Sequence, residues 1–194
     1  MSIFQLYLNL GIQHIDDFKS YDHILFITCL CAVYLLKQWK QILVLITAFT
    51  IGHTTSLILS TFKIVSIPIN IVEFLIPLTV FITAFWNLFS KQDGVNLKTH
   101  WVKYFTALIF GLIHGMGFSN YLQTLLGNEN NILMPLFSFN VGIEIGQILI
   151  VSIILLISYI ITSWFKVARR DWVFIFSGAG LGISLTLMID RYPW

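Results

Sequence analysis

Ionisable side chains interrupt the apolar stretches of this chain at only a few positions, and their types are those of metal ligands. His53 stands in Phe49-Thr50-Ile51-Gly52-His53-Thr54-Thr55, Glu73 in Asn70-Ile71-Val72-Glu73, and His114 in Phe110-Gly111-Leu112-Ile113-His114-Gly115. Glu144 stands in Asn140-Val141-Gly142-Ile143-Glu144-Ile145-Gly146-Gln147, and Asp22-His23 opens another apolar run preceded by His14. Imidazole nitrogens favour nickel, cobalt, zinc or copper(II), while carboxylates add hard oxygen and negative charge. With two cysteines and four methionines in the whole chain, a copper(I) site is disfavoured. His14, Asp22, His23, His53, Glu73, His114 and Glu144 are therefore the candidate ligands of one divalent transition-metal ion, with nickel, cobalt and zinc all open. Asn140 and Gln147, four before and three after Glu144, share its helical face and can orient it.

Taken singly, each residue has a simpler role. His53 could hydrogen-bond a neighbouring helix, and Glu73 could reach to an interface. His114 and Glu144 each lie next to or within a pair of glycines spaced by four (Gly111 and Gly115, Gly142 and Gly146), a spacing that lets helices approach closely. Glu144 could also be a protonated carboxyl in an amide network. His100, beside Trp101, reads as a bystander. What favours a shared site is depth, and depth depends on the elements that carry these residues.

The 194 residues are 57% hydrophobic and only 10% charged, far below the roughly 25% charge of a soluble domain. This excludes a disordered chain, a secreted disulfide scaffold and a basic nucleic-acid binder, the last also because the net charge is only +2. Cys29 and Cys31, two apart in an apolar run, point to different helical faces and are not expected to pair. The lipid bilayer is the expected surroundings. At about 20 apolar residues per crossing, six spans are predicted, at 21–36, 41–62, 67–89, 101–121, 132–165 and 172–189. They form one all-α domain over 1–194, a six-helix transmembrane bundle. Pro68 and Pro77 fall at the start and middle of the third span, and turn-rich loops are predicted at 92–96 and 126–131. Ile3, Phe4, Leu6, Tyr7, Leu8 and Leu10 suit a short N-terminal helix along the interface rather than a cleaved signal.

Eight lysines and arginines (Lys37, Lys40, Lys91, Lys98, Lys103, Lys166, Arg169, Arg170) fall on one side of this arrangement and three (Lys19, Lys63, Arg191) on the other. The positive-inside rule then puts both termini outside the cytoplasm, on the periplasmic side of a bacterial inner membrane. Spans two and four run outward with His53 and His114 late in them. Spans one, three and five run inward with Asp22, His23 and Glu73 early and Glu144 deeper. The candidates gather in the outer half of the bilayer, and the inner half is expected to be clean.

The motifs Gly11-Ile12-Gln13-His14-Ile15, Tyr21-Asp22-His23-Ile24-Leu25-Phe26, Thr47–His53, Phe110–Phe118 and Phe139–Gln147, in this order, resemble the HupE/UreJ family. Its members are small membrane proteins of hydrogenase and urease systems, regarded as nickel permeases. The resemblance implies that His14 and Asp22-His23 correspond to the family's first metal motif, and His114 and Glu144 to its later His and Glu signatures. Seven residues separate His14 from Asp22 where the better-known members have five, and one of their two later histidines is replaced. A nickel- or cobalt-type permease is the leading expectation. An intramembrane metallohydrolase acting on a lipid or acyl substrate, with Glu144 or Glu73 as general base, is the alternative. A non-catalytic accessory membrane subunit is the third reading. Partners are the bilayer and the metal ion, no nucleic acid, and either a homo-oligomer or a partner membrane subunit.

Overall fold

A computed structural model of the chain describes residues 2–16, 22–90, 95–126 and 132–193, with side chains described to residue 118 in the third segment. The predicted loops at 92–96 and 126–131 lie largely outside these residues. Among the described residues the long regular elements are all helices: α1 (Ile3–Asp16), α2 (Asp22–Cys31), α3 (Trp39–Thr61), α4 (Ile69–Asn87), α5 (Leu97–Leu126), α6 (Leu133–Ser163) and α7 (Arg169–Asp190). The five from α3 to α7 are long and apolar enough to cross a bilayer. The chain is an integral membrane protein. Pro68 caps α4, where its missing N–H is tolerated, and Pro77 is accommodated inside the same helix.

The first expected span is corrected in its form. Helix α2 has ten residues, and at 1.5 Å per residue that covers about half of a hydrocarbon core. The apolar run continues as non-helical chain through Ala32, Val33 and Tyr34, all at most 2% exposed. Non-helical backbone survives at such depth only where protein surrounds it and supplies partners. Here Asn87 Nδ2 donates to the Cys29 carbonyl, and Gln38 exchanges hydrogen bonds with the backbone of Val95. Hydropathy alone does not distinguish this broken element from a continuous helix.

Two parallel helix pairs build the core. In α3 and α5, a Cβ added to Gly111 would strike the Phe49 carbonyl, and one on Gly52 would strike the Leu108 carbonyl. In α1 and α6, Gly142 abuts the Leu8 carbonyl and Gly11 abuts that of Phe139. These backbone contacts are the close approach that the small-residue spacing permits. Helix α1 thus runs alongside α6 in tight contact. Helices α4 and α7 are antiparallel, with Asn70 near Pro193 and Ala84 near Gly180. Helices α4 and α5 are antiparallel too, with Lys103 meeting Asn87 and Gly117 meeting Ile76.

A polar cluster at the C-terminal end of α2, away from the histidines, corrects the expectation that this half of the bundle is clean. Lys103, 6% exposed, is buried in α5 rather than lying in a loop. Its ammonium donates to Asn87 Oδ1 at 3.0 Å, while the Tyr34 hydroxyl meets His100 Nδ1 at 3.2 Å. His100 is therefore a buried member of this cluster and not a bystander. A cation beside the last turn of α2 is well placed against the helix dipole and its unsatisfied carbonyls. Cys29 and Cys31 are free and buried, as expected.

Candidate metal centre

Four helices bring imidazoles together. His14 ends α1, His23 opens α2, His53 lies in the second half of α3 and His114 in the middle of α5. One ligand atom from each of His14, His23 and His53 lies within 4.8 Å of the other two. The His114 ring joins this group, with its centroid 5.1 Å from that of His23. The glycine contacts make this convergence possible, because α3 and α5 meet backbone to backbone at Phe49–Gly111 and His53–Gly115.

The protonation of His114 follows from its partner. Its Nδ1 lies 2.8 Å from the Phe110 carbonyl, which can only accept, so Nδ1 carries the proton. In the neutral ring Nε2 then offers a lone pair, and it is buried with no hydrogen-bond partner among the described residues. A backbone carbonyl orienting one ring nitrogen while the other faces an ion is the usual arrangement of a metal-bound histidine. His53 is fully buried, and neither of its ring nitrogens has a hydrogen-bond partner among the described residues. Leaving a buried polar atom unsatisfied costs about 1–3 kcal/mol, so these nitrogens fit a bound ion.

A cavity of about 270 Å³ opens beside the cluster, lined among others by His14, Asp22, His23, Glu73, His114 and Arg191. Glu73 is exposed at its edge. Asp22 Oδ2 pairs with Arg191 Nη1 at 2.9 Å, and Asp22 Oδ1 is buried without a hydrogen-bond partner among the described residues. Two carboxylates and one guanidinium leave one net negative charge, suited to a cation. Beneath lie the buried rings of Phe26 and Phe49, 5.2 Å apart and each next to His114, while Phe139 flanks His14 and stacks on Phe118.

Six of the seven residues predicted from sequence thus share one place. The seventh does not join them. Glu144 Oε1 accepts from Thr47 at 2.7 Å, Gln147 Oε1 from Thr50 at 3.0 Å, and Asn140 Oδ1 from Thr54 at 2.6 Å. These pairs fasten α3 to α6 along a separate groove of about 480 Å³ that Glu144 and Asn140 line. Asn140 and Gln147 are on the face of Glu144, as predicted, but they face threonines.

The sequence profile described as HupE / UreJ protein matches residues 1–190. The chain belongs to the HupE/UreJ family. No curated protein and no solved structure gives a significant match. For a HupE/UreJ protein, the histidines and Asp22-His23 that carried the resemblance are also the ones that meet in space, while the Glu144 signature stands apart. Sequence reasoning missed Arg191 as part of the site. Its signal was a lone arginine at the outer end of the last span, counted there only as a topological charge.

Proposed function

We propose that this HupE/UreJ protein is a permease for a divalent transition-metal ion of the nickel or cobalt type, with zinc the further candidate. The observation that carries the reading is the convergence of His14, His23 and His53 from three helices within 4.8 Å. His114 is the fourth nitrogen donor, and Asp22 and Glu73 supply charge at the entrance. Nitrogen-rich sites of this kind prefer late first-row ions over magnesium or calcium. Tyr34 and His100, buried at the C-terminal end of α2 below Phe26 and Phe49, are the polar groups that support passage inward. The Lys103 ammonium beside Asn87 carries the same sign as the ion and repels it.

On this reading α2 and the buried chain after it make the sixth crossing, α1 dips in from the outer interface beside α6, and both termini are periplasmic in a bacterial inner membrane. Glu144 is read as an α3–α6 fastener, together with Asn140 and Gln147. The hydrolase alternative needs a base beside the metal; Glu73, at the cavity edge, is the carboxylate that supports it. Radiolabelled nickel or cobalt uptake by cells producing the wild type or His53→Ala tests the permease. Uptake that depends on His53 is expected, and equal uptake from both overturns the proposal.

A further inference from the structure

The Asp22–Arg191 pair lies inside the cavity beside the histidines, and this has consequences for which ions the site accepts. Arg191 follows α7 immediately, and the residues after it are fastened to the start of α4. Asn70 Nδ2 donates to the Pro193 carbonyl at 3.2 Å, and the Tyr192 ring meets Phe74 edge-on at 6.1 Å. The guanidinium is therefore held in place at both ends, by its own contact to Asp22 and by the segment that bears it. Side-chain exposure of 27% for Arg191 and 11% for Asp22 puts the pair partly out of water.

We infer that Arg191 is a selectivity-determining residue: a tethered cation that withholds Asp22 and so keeps the site nitrogen-dominated. This rests on the metal-binding reading above. Hard ions such as calcium, magnesium and manganese depend on the number and charge of oxygen ligands. With Oδ2 held by Arg191, Asp22 has one oxygen to offer instead of a bidentate carboxylate, and the guanidinium offsets half of the carboxylate charge in the cavity. Ions that bind through imidazole lose less by this arrangement, because their nitrogen donors are untouched. Arg191 acts on the ion through Asp22, so it is a positioning residue and not a ligand.

The test is a competition measured on the purified full-length protein in detergent. Cobalt(II) binding is followed by its d–d absorption, and manganese(II) and calcium(II) are added as competitors. Arg191→Met keeps the length of the side chain and removes its charge and donors; Arg191→Lys keeps the charge. The expected result is that Arg191→Met narrows the preference for cobalt over manganese by about 10-fold, on the scale by which an outer partner of a ligand alters metal affinity, while Arg191→Lys stays near wild type. An Arg191→Met preference equal to wild type overturns the inference and leaves the histidine site standing. Failure of the wild type to bind cobalt overturns the metal-binding reading itself. If Arg191→Met does not accumulate, Asn70→Ala combined with Tyr192→Ala loosens the segment without touching the cavity ligands. The same narrowing is expected there, and an unchanged preference overturns the inference.

Discussion

At His114 a single backbone contact decides which nitrogen faces the cavity. The Phe110 carbonyl fixes the proton on Nδ1, and Nε2 is left to the ion. His53 contributes in another way, as a fully buried ring with no hydrogen bond to either nitrogen among the described residues. Replacing either by alanine removes a donor outright, so cobalt affinity in His53→Ala and His114→Ala should fall by more than the about 10–100-fold typical of an outer partner. Equilibrium titration of each purified variant checks this. Glu144→Gln should behave differently. A glutamine Oε1 still accepts from Thr47, so cobalt affinity is expected within about twofold of wild type, with the bond's net worth of about 0.5–1.5 kcal/mol retained. A large loss of cobalt binding in Glu144→Gln would return that residue to the ligand set.

At the scale of elements, the site depends on two backbone contacts, between α3 and α5 and between α1 and α6. A Cβ at Gly111 meets the Phe49 carbonyl, not the end of a flexible side chain, so the helices themselves must move apart. Gly111→Val is expected to lower stability by about 1–3 kcal/mol or more and to weaken cobalt binding with it, read by thermal unfolding in detergent and by titration. The long helices were legible in the sequence because unbroken apolar runs have few alternatives in lipid, and α3, α4 and α6 begin and end within two residues of expectation. Helix α2 was not. Its run is apolar to Leu36, but beyond Cys31 the chain turns on a Tyr34 N–H bond to the Cys31 carbonyl, and Asn87 of α4 takes the Cys29 carbonyl; a partner that distant leaves no local trace. For the same reason Lys103 read as a loop charge and Glu144 as a ligand. Residue type showed that each needed a polar partner at depth, but not which helix would provide it. The histidines were legible because intramembrane imidazoles are few, and the alternation of helix directions put most of them at one level.

The whole molecule has a polarity that agrees with the site lying near one end. Lys37, Lys40, Lys98, Lys166, Arg169 and Arg170 gather at the opposite end, where α3, α5 and α7 begin and α6 finishes. Trp39, Trp101 and Trp164, each at least half exposed, lie at that same end, as aromatic residues do at a membrane interface. With that end in the cytoplasm, cysteines introduced at Lys98 and Arg169 should resist a membrane-impermeant thiol reagent in intact cells and react after permeabilisation. Labelling of both in intact cells would invert the topology and turn the cavity towards the cytoplasm. Whether helices far apart in sequence share one ion is decided by cobalt titration of the purified protein, comparing the wild type with His23→Ala, His53→Ala and His114→Ala. Saturable cobalt binding with ligand-field bands is expected in the wild type, with loss of those bands in every one of the three variants. Wild-type bands retained in His53→Ala and His114→Ala would contradict a shared site.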